Sequence, residues 1–300
     1  MQDDATALIA RAVLPVARAQ AAQCELLTRI TIDDVLGAFG LDHVRCGRGV
    51  LEALVGAPAR RFARQIVTYD ALVGSAGLQA GHAWLLSQFV ARVVVHGREH
   101  LPPTGPLLIV ANHPGSSDGS ALLAVLGRPD LRVVVAPHAF LRALPQTSRY
   151  LFFRDPPPAV GLALLHAVVR HLRGGGAVLL FPAGAIEPDP AVHPGAAEAL
   201  QRWSRSSTTL ARLVPGLVVV PTAVWGVLAR GAAHHPLTRL RRTSAERRRL
   251  AALFQMLIPA YHRVSVQVRF GAPIQAAAAT GDVHAQVCGA MRQLLGEATR

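Results

Sequence analysis

The spacing of apolar and β-branched residues changes near residue 92, and this change constrains the fold more than any other feature. Before it, apolar residues recur at the three- and four-residue spacing of helices, and no β-rich run occurs. After it, short β-branched runs alternate with segments of helical pattern. The β-type runs are 93–95, 107–110, 133–135, 177–181, 218–220 and 264–268. The helix-like segments lie near 118–127, 158–173, 195–211, 244–257 and 283–296.

Apolar strands separated by helices are typical of an α/β fold, in which helices cover both faces of a sheet. The pattern therefore predicts an α/β domain over residues 92–300, with a mostly parallel or mixed central sheet. Residues 1–91 are predicted to form a helical N-terminal region. Breaks in its helices are expected at Gly40, at Gly56 with Pro58, and between Gly74 and Gly77.

The chain is strongly basic, with 31 basic residues, all of them arginine, against 18 acidic ones and a net charge of +13. This surplus favours anionic partners such as lipid headgroups, a phosphorylated cofactor, an acidic carrier protein or nucleic acid. Nucleic acid is the least favoured, because the densest arginine cluster, 239–249, lacks interleaved aromatic residues. The alternative interpretation of that cluster is a solvated helix face.

The three cysteines, Cys24, Cys46 and Cys288, are widely spaced and lie at no metal-ligand spacing from a histidine. They indicate a reducing compartment and argue against a disulfide framework or a zinc site. The acidic N-terminus predicts no signal peptide. The apolar stretch 213–229 is interrupted by prolines and glycines, whereas a spanning helix needs about 20 apolar residues. We therefore expect a cytoplasmic chain without a transmembrane helix.

The loop after the run 107–110 carries the clearest candidate chemistry, Asn-His-Pro-Gly-Ser-Ser-Asp-Gly at 112–119. The proline pushes the backbone of His113 away from the helical region, which holds the imidazole at the tip of the strand. Asp118 falls near the start of the next helix, where the helix dipole favours a carboxylate. An acid bonded to one ring nitrogen fixes the tautomer and leaves the other nitrogen as a proton acceptor. The spacing therefore indicates a general base working near neutral pH.

The same loop contains a competing pattern, Gly115-x-Ser117-x-Gly119, which is that of the nucleophile elbow in α/β-hydrolases. It would make Ser117 a nucleophile, with Asp189 and His262 following in chain order as acid and base. An elbow needs its first glycine at the end of the strand, whereas three residues intervene here. A serine hydrolase or esterase is therefore the alternative function.

Four segments, in order, resemble the motifs of the glycerolipid acyltransferase superfamily, whose best-known members acylate lysophosphatidic acid. Asn-His-Pro-x3-Asp at 112–118 resembles the first motif, and the apolar run ending in arginine at 150–154 resembles the second. The segment 174–184, which ends in Phe-Pro-Ala-Gly, resembles the third, and 218–222 resembles the fourth. The resemblance covers about residues 93 to 270.

The resemblance implies an O-acyltransferase that moves a fatty acyl group from acyl-CoA or acyl carrier protein to a hydroxyl of a lipid or lysolipid. In such an enzyme His113 would deprotonate the acceptor and Asp118 would orient the imidazole. Neither a bound cofactor nor a metal is required. The resemblance also implies peripheral association with an anionic membrane surface, with the helical N-terminal region as a docking unit or a lid.

The third motif departs from the family's usual Phe-Pro-Glu-Gly-Thr-Arg, because Ala183 replaces the glutamate, Ala185 the threonine and Ile186 the arginine. The family's glutamate and arginine are credited with gripping the acceptor's glycerol phosphate, so this role does not carry over. Glu187 is a candidate for a related polar role, and its alternative is a solvent-exposed loop acid. A third hypothesis follows, in which the altered motif has cost catalysis and left a lipid-binding homologue.

Arg154, at the end of the second motif, is the best candidate for a contact with a phosphate or carboxylate. Its alternative is an ordinary surface arginine at the entry of a helix. The motifs add as candidate substrate-binding residues Gly115, Ser116, Phe181, Pro182 and Gly184.

Overall fold

The computed structural model describes residues 2–44, 47–156, 158–276 and 282–298. Its helices are α1 Gln2–Phe39, α2 Arg48–Ser87, α3 Asp118–Val125, α4 Ala139–Arg142, α5 Pro158–Arg173, α6 Ala196–Ala199, α7 Ser206–Leu213, α8 Arg230–Ala233, α9 Ser244–Leu257 and α10 Val283–Ala298. Its strands are β1 Val90–His96, β2 Leu107–Ala111, β3 Arg132–Val135, β4 Leu151–Phe153, β5 Ala177–Leu180, β6 Val218–Trp225, β7 Val264–Phe270 and β8 Ile274–Gln275.

The strands form one mixed sheet in the order β1-β7-β6-β2-β5-β3-β4, with β8 paired to β6. The central strand β2 runs parallel to both β5 and β6. The β6–β7 and β6–β8 pairs are antiparallel. The predicted α/β class, with a mixed sheet and a helical N-terminal region, is therefore confirmed. The two-residue strand β8 was not predicted, because so short a run carries no periodicity.

Both faces of the sheet are covered, and β2 divides its side chains between them. Leu107 and Ile109 pack in one apolar cluster with residues of α2, α3 and α9. Leu108 and Val110 pack in the other, with residues of α5, α7 and α10. All four are completely buried. The alternation of a strand's side chains thus fixes β2 as the rigid centre of the molecule.

The N-terminal helices follow the predicted breaks only in part. Helix α1 ends just before Gly40, whose φ of 73° is the left-handed conformation that favours glycine. A bend occurs at Gly77, with φ 88° and ψ 169°. The break predicted at Gly56 and Pro58 is wrong, because α2 continues through both. Burial of the next turns against the core outweighs the local cost of a proline.

The predicted helix 195–211 is also wrong as a single element. Helix α6 ends at Ala199, a short turn covers 200–202, and α7 starts at Ser206. The interruption buries Trp203, which is 4% exposed. The described residues contain no helix long and apolar enough to cross a bilayer. Of the three cysteines, Cys24 and Cys288 are free thiols, and Cys46 lies outside the described residues.

A buried polar chain joins α2 to α3 across this core. The hydroxyl of Tyr69 lies 2.8 Å from Nε2 of His82, and Nδ1 of His82 lies 3.2 Å from Oγ of Ser120. Tyr69 and His82 are both buried. Burial lowers the pKa of His82 to about 3. His82 is therefore held neutral, and its two ring nitrogens are used to fix α2 against α3.

His82 should make the folded state sensitive to acid. An unfolded histidine titrates near 6.5, so between that pH and about 3 the unfolded chain binds the extra proton and stability falls as the pH drops. In urea unfolding, lowering the pH from 7 to 5 should cost the wild type about 2 kcal/mol more than His82→Gln. Equal losses in the two proteins would contradict this assignment.

Candidate active site

At the end of β2, the side-chain amide of Asn112 pairs with the backbone of the neighbouring strand β6. Asn112 is 2% exposed and follows the last residue of β2. Its Nδ2 donates to the carbonyl of Val224 at 2.8 Å, and its Oδ1 accepts from the N–H of Val224 at 2.8 Å. Because β6 extends beyond β2, this amide satisfies backbone groups that would otherwise be unpaired in the core. The backbone that leads into His113 is therefore held in place by Asn112.

His113 and Asp118 form a hydrogen-bonded pair, with 2.7 Å between Nδ1 and Oδ2. The Asp118 side chain is 1% exposed and that of His113 is 30% exposed. Asp118 is the first residue of α3 and also accepts the N–H of Gly119 at 2.6 Å and of Gly115 at 3.3 Å. A carboxylate can only accept, so Nδ1 carries the proton. Nε2, which has no partner in the described part of the chain, is left as the proton acceptor.

The environment of His113 sets its basicity. Burial acts to lower the pKa of His113, but the negative charge of Asp118 and the hydrogen bond to it outweigh burial and raise the pKa above its ordinary value. The charge of Glu187 raises it further. The imidazole is therefore a stronger base than a free histidine, and it is exposed enough to meet a substrate.

Glu187 lies behind His113 and is 5% exposed. Its backbone N–H donates to the carbonyl of His113 at 2.7 Å, while its Oε2 accepts the N–H of His113 at 2.9 Å. Its Oε1 accepts the indole N–H of Trp203 at 2.7 Å. Burial raises the pKa of Glu187, and the hydrogen bonds from Trp203 and from the His113 backbone act against that rise. The alternative interpretation as a solvent-exposed loop acid is therefore wrong.

The His113–Asp118 pair opens on a cavity of about 1180 Å³. Much of its wall is apolar and comes from α2, α3, β3 and the segment 140–144, including Phe62, Ile66, Leu85, Leu123, Val133, Phe140 and Leu144. The Tyr69–His82–Ser120 chain also lies on this wall. A cavity of this size and polarity suits a long apolar ligand whose reactive end reaches the imidazole.

Five of the seven predicted substrate-binding residues line the cavity with His113 and Asp118, namely Ser116, Arg154, Phe181, Pro182 and Gly184. The ring of Phe181 lies 4.8 Å from the imidazole, centroid to centroid. Glu187 and Gly115 do not line the cavity. Gly115 is buried, and a Cβ there would meet Val227 at 2.9 Å, so it serves the close packing of the loop.

The cavity also carries arginines that the sequence did not single out. Arg202 and Arg205 line it together with Arg154. Arg205 is paired with Asp282, whereas Arg154 and Arg202 are exposed and have no ion pair among the described residues. Arg202 belongs to the turn 200–202, outside all four motifs, so no sequence signal pointed to it. The free guanidinium groups make this part of the cavity suitable for an anionic group.

The residues of the alternative hydrolase triad are not brought together. The hydroxyl of Ser117 is buried without a hydrogen-bond partner among the described residues. Asp189 is fully buried and accepts the backbone N–H groups of Gly226 and Leu228 at 2.9 and 3.0 Å. His262 lies elsewhere, against Phe89. The geometry therefore gives Ser117 no base, which a serine nucleophile needs.

No cluster of three or more His, Cys, Asp or Glu in the described ranges is placed to hold a metal ion. The arrangement at the end of β2 is a histidine hydrogen-bonded to a buried aspartate, beside a large and mostly apolar cavity. Such a pair can take a proton from a hydroxyl and so make it a nucleophile.

A family model and a solved structure are similar to this chain. Residues 92–225 match the family model described as Acyltransferase. A crystal structure of the 1-acyl-sn-glycerophosphate (LPA) acyltransferase PlsC from Thermotoga maritima is similar, at 17% sequence identity, over 93% of this chain and 96% of that chain, with a TM-score of 0.48. No curated protein matches the chain. Residues 92–225, which include His113 and Asp118, are thus similar to the acyltransferase family.

Proposed function

We propose that the protein moves a fatty acyl group from the thioester of acyl-CoA or acyl carrier protein to a hydroxyl of a lipid or lysolipid. The observation that carries this proposal is the 2.7 Å pair of His113 and Asp118 on the wall of an apolar cavity of about 1180 Å³. The apolar wall suits a fatty acyl chain, and the base beside it suits activation of a hydroxyl.

The reaction follows from the protonation state of the pair. Nε2 of His113 takes the proton of the acceptor hydroxyl while the oxygen attacks the thioester carbon. The tetrahedral oxyanion then collapses, the C–S bond breaks, and the imidazolium returns the proton to the leaving thiolate. The positive charge on the ring between these steps is stabilised by Asp118, 2.7 Å from Nδ1. No covalent enzyme intermediate is needed.

His113→Ala should lower the rate of acyl transfer by at least about 100-fold, because the variant has no general base. Transfer from acyl-CoA to a lysolipid, followed by mass spectrometry of the product, measures this loss. Ser117→Ala is the matched control from the same loop, and it should keep near wild-type turnover because the Ser117 hydroxyl has no hydrogen-bond partner among the described residues.

Transfer lost in Ser117→Ala but kept in His113→Ala would favour a hydrolase-type nucleophile. The absence of transfer in the wild type across acyl donors and acceptors would favour the lipid-binding homologue.

The pH profile gives the same experiment a second readout. The base works only unprotonated, so kcat/KM should rise with pH through the pKa of His113, which the net effect of its surroundings raises above 6.5. In Asp118→Asn the charge is lost while burial remains. The midpoint should therefore move to lower pH, and kcat should fall by roughly 100-fold or more because the tautomer is no longer fixed. An unmoved midpoint would contradict the role of Asp118.

We propose that Arg154 binds a phosphate of the acceptor or donor, because it is exposed, unpaired among the described residues and on the same cavity as His113. A charge-assisted hydrogen bond of this kind is worth about 1.5–3 kcal/mol. Arg154→Gln should therefore raise KM for a phosphate-bearing substrate by roughly 10-fold or more. Arg149→Gln, which removes a nearby exposed charge outside the cavity, should leave KM unchanged. Equal effects of the two variants would contradict the assignment.

We further propose that the protein works at the cytoplasmic face of an anionic membrane, with the N-terminal helices as its docking unit. Val50 and Leu54, four residues apart at the start of α2, are 67% and 72% exposed. Arg61, seven residues after Leu54, lies on the same stripe of the helix and is also exposed. Exposed apolar side chains beside a cation are the combination that binds an anionic interface.

Replacing Val50 and Leu54 together by serine should weaken binding to vesicles containing anionic lipid, because it removes the apolar anchor. Co-sedimentation with vesicles of mixed anionic and zwitterionic lipid measures this loss. Leu162→Ser is the control, since Leu162 is 56% exposed on α5. Wild-type binding by the double variant would rule out this part of α2 as the docking surface.

A further inference from the structure

We propose that Glu187 is a positioning residue for His113, which holds the backbone of the histidine in place and supplies a second negative charge to its imidazolium. This inference rests on the proposed role of His113 as the general base. Glu187 makes no contact with the cavity that holds the substrate, so it acts through the histidine and not on the reacting atoms.

The contacts between residues 113 and 187 form a two-way clamp. The backbone N–H of Glu187 donates to the carbonyl of His113, and the backbone N–H of His113 donates to the carboxylate of Glu187. The His113 backbone is thus fixed on both sides by one residue. The side-chain pair with Asp118 then sets the ring, because the backbone from which the ring extends cannot drift.

The hydrogen bonds also identify the charge state of Glu187. Both carboxylate oxygens accept an N–H, one from His113 and one from Trp203, and neither faces an acceptor that would need a proton from the acid. An ionised carboxylate satisfies this arrangement. A buried charge is costly unless it is paired and hydrogen-bonded, so an apolar residue of similar volume would be the simpler choice for packing alone. The charge therefore indicates a function for the carboxylate.

The loop that carries Glu187 is built to hold this position. Gly184, with φ of 64°, turns the chain, and its N–H donates to the carbonyl of Phe181 at 3.2 Å. The N–H of Ser204 donates to the carbonyl of Pro182 at 3.1 Å. Ala183 stands where the family's motif has its glutamate. The carboxylate four residues later accepts a hydrogen bond from the backbone of His113 and does not line the cavity.

The charged groups around this pair are few among the described residues. Asp118 and Glu187 both raise the pKa of His113, against the opposing effect of burial. Arg248 of α9 interacts electrostatically with Glu187 and with Arg202. Removing the charge of Glu187 should therefore lower the pKa of the imidazole while the Asp118 pair stays intact.

Glu187→Gln tests the proposal, because it keeps the size of the side chain and removes its charge. The pKa of His113 is measured by NMR titration of the ring protons, with the His113 signal identified by its loss in His113→Ala. This readout needs no activity, so it separates failure of the inference from failure of the proposed function. The expected result is a lower imidazole pKa, an acid limb of kcat/KM at lower pH, and kcat reduced by roughly 10- to 100-fold through loss of position.

Two controls separate charge from loop stability. Asp189→Asn makes the same chemical change to a fully buried carboxylate two residues away that contacts Gly226 and Leu228 and not His113. Trp203→Phe removes a hydrogen bond that holds the pKa of Glu187 down, so it should shift the imidazole pKa in the same direction as Glu187→Gln but by less. Asp189→Asn should leave the imidazole pKa near the wild-type value, even if its melting temperature falls. An unchanged His113 pKa in Glu187→Gln, or an equal fall in Asp189→Asn, would overturn the proposal.

Discussion

The site depends on one buried carboxylate. Asp118 has almost no solvent exposure, so its charge is tolerated only because the ring of His113 and the backbone N–H groups of Gly115 and Gly119 donate to it. The position of Asp118 at the start of α3 adds the favourable end of the helix dipole. The orientation of the imidazole is a consequence of this requirement, because the ring N–H is one of the few donors that can satisfy the acid.

The cavity and the polar groups behind it have complementary effects on His113. The apolar wall contributes to the burial of His113, and this burial opposes the charged imidazolium. Asp118 and Glu187 oppose burial with two negative charges, and their combined effect prevails. Because electrostatic interactions strengthen in buried surroundings, the same burial also strengthens the interaction of the histidine with its two acids. The shape of the cavity and the basicity of His113 are therefore linked through one feature of the fold.

The differences between the predicted and observed elements share a cause. The runs at 107–110 and 244–257 were predicted closely because their local pattern and their burial agree. The helix predicted at 195–211 is interrupted because burying Trp203 against Glu187 requires the chain to leave the helical path. Likewise α2 passes through Pro58, because packing against the core outweighs the local preference. Tertiary contacts overrode local propensity at each of these positions.

The sequence by itself determined the α/β class, the helical N-terminal region and the placing of His113 and Asp118 around one strand-to-helix turn. The class and the helical region follow from short-range periodicity. The pair follows from local geometry, because His113 and Asp118 are only five positions apart. Only the tertiary structure decided the contacts of Glu187, the hydrogen bonds of Asn112 to Val224, and the presence of Arg202 on the cavity. Each of these features brings together residues that lie far apart in the chain, so local pattern cannot predict it. The partners of the Glu187 carboxylate, for example, depend on which groups the fold packs around it.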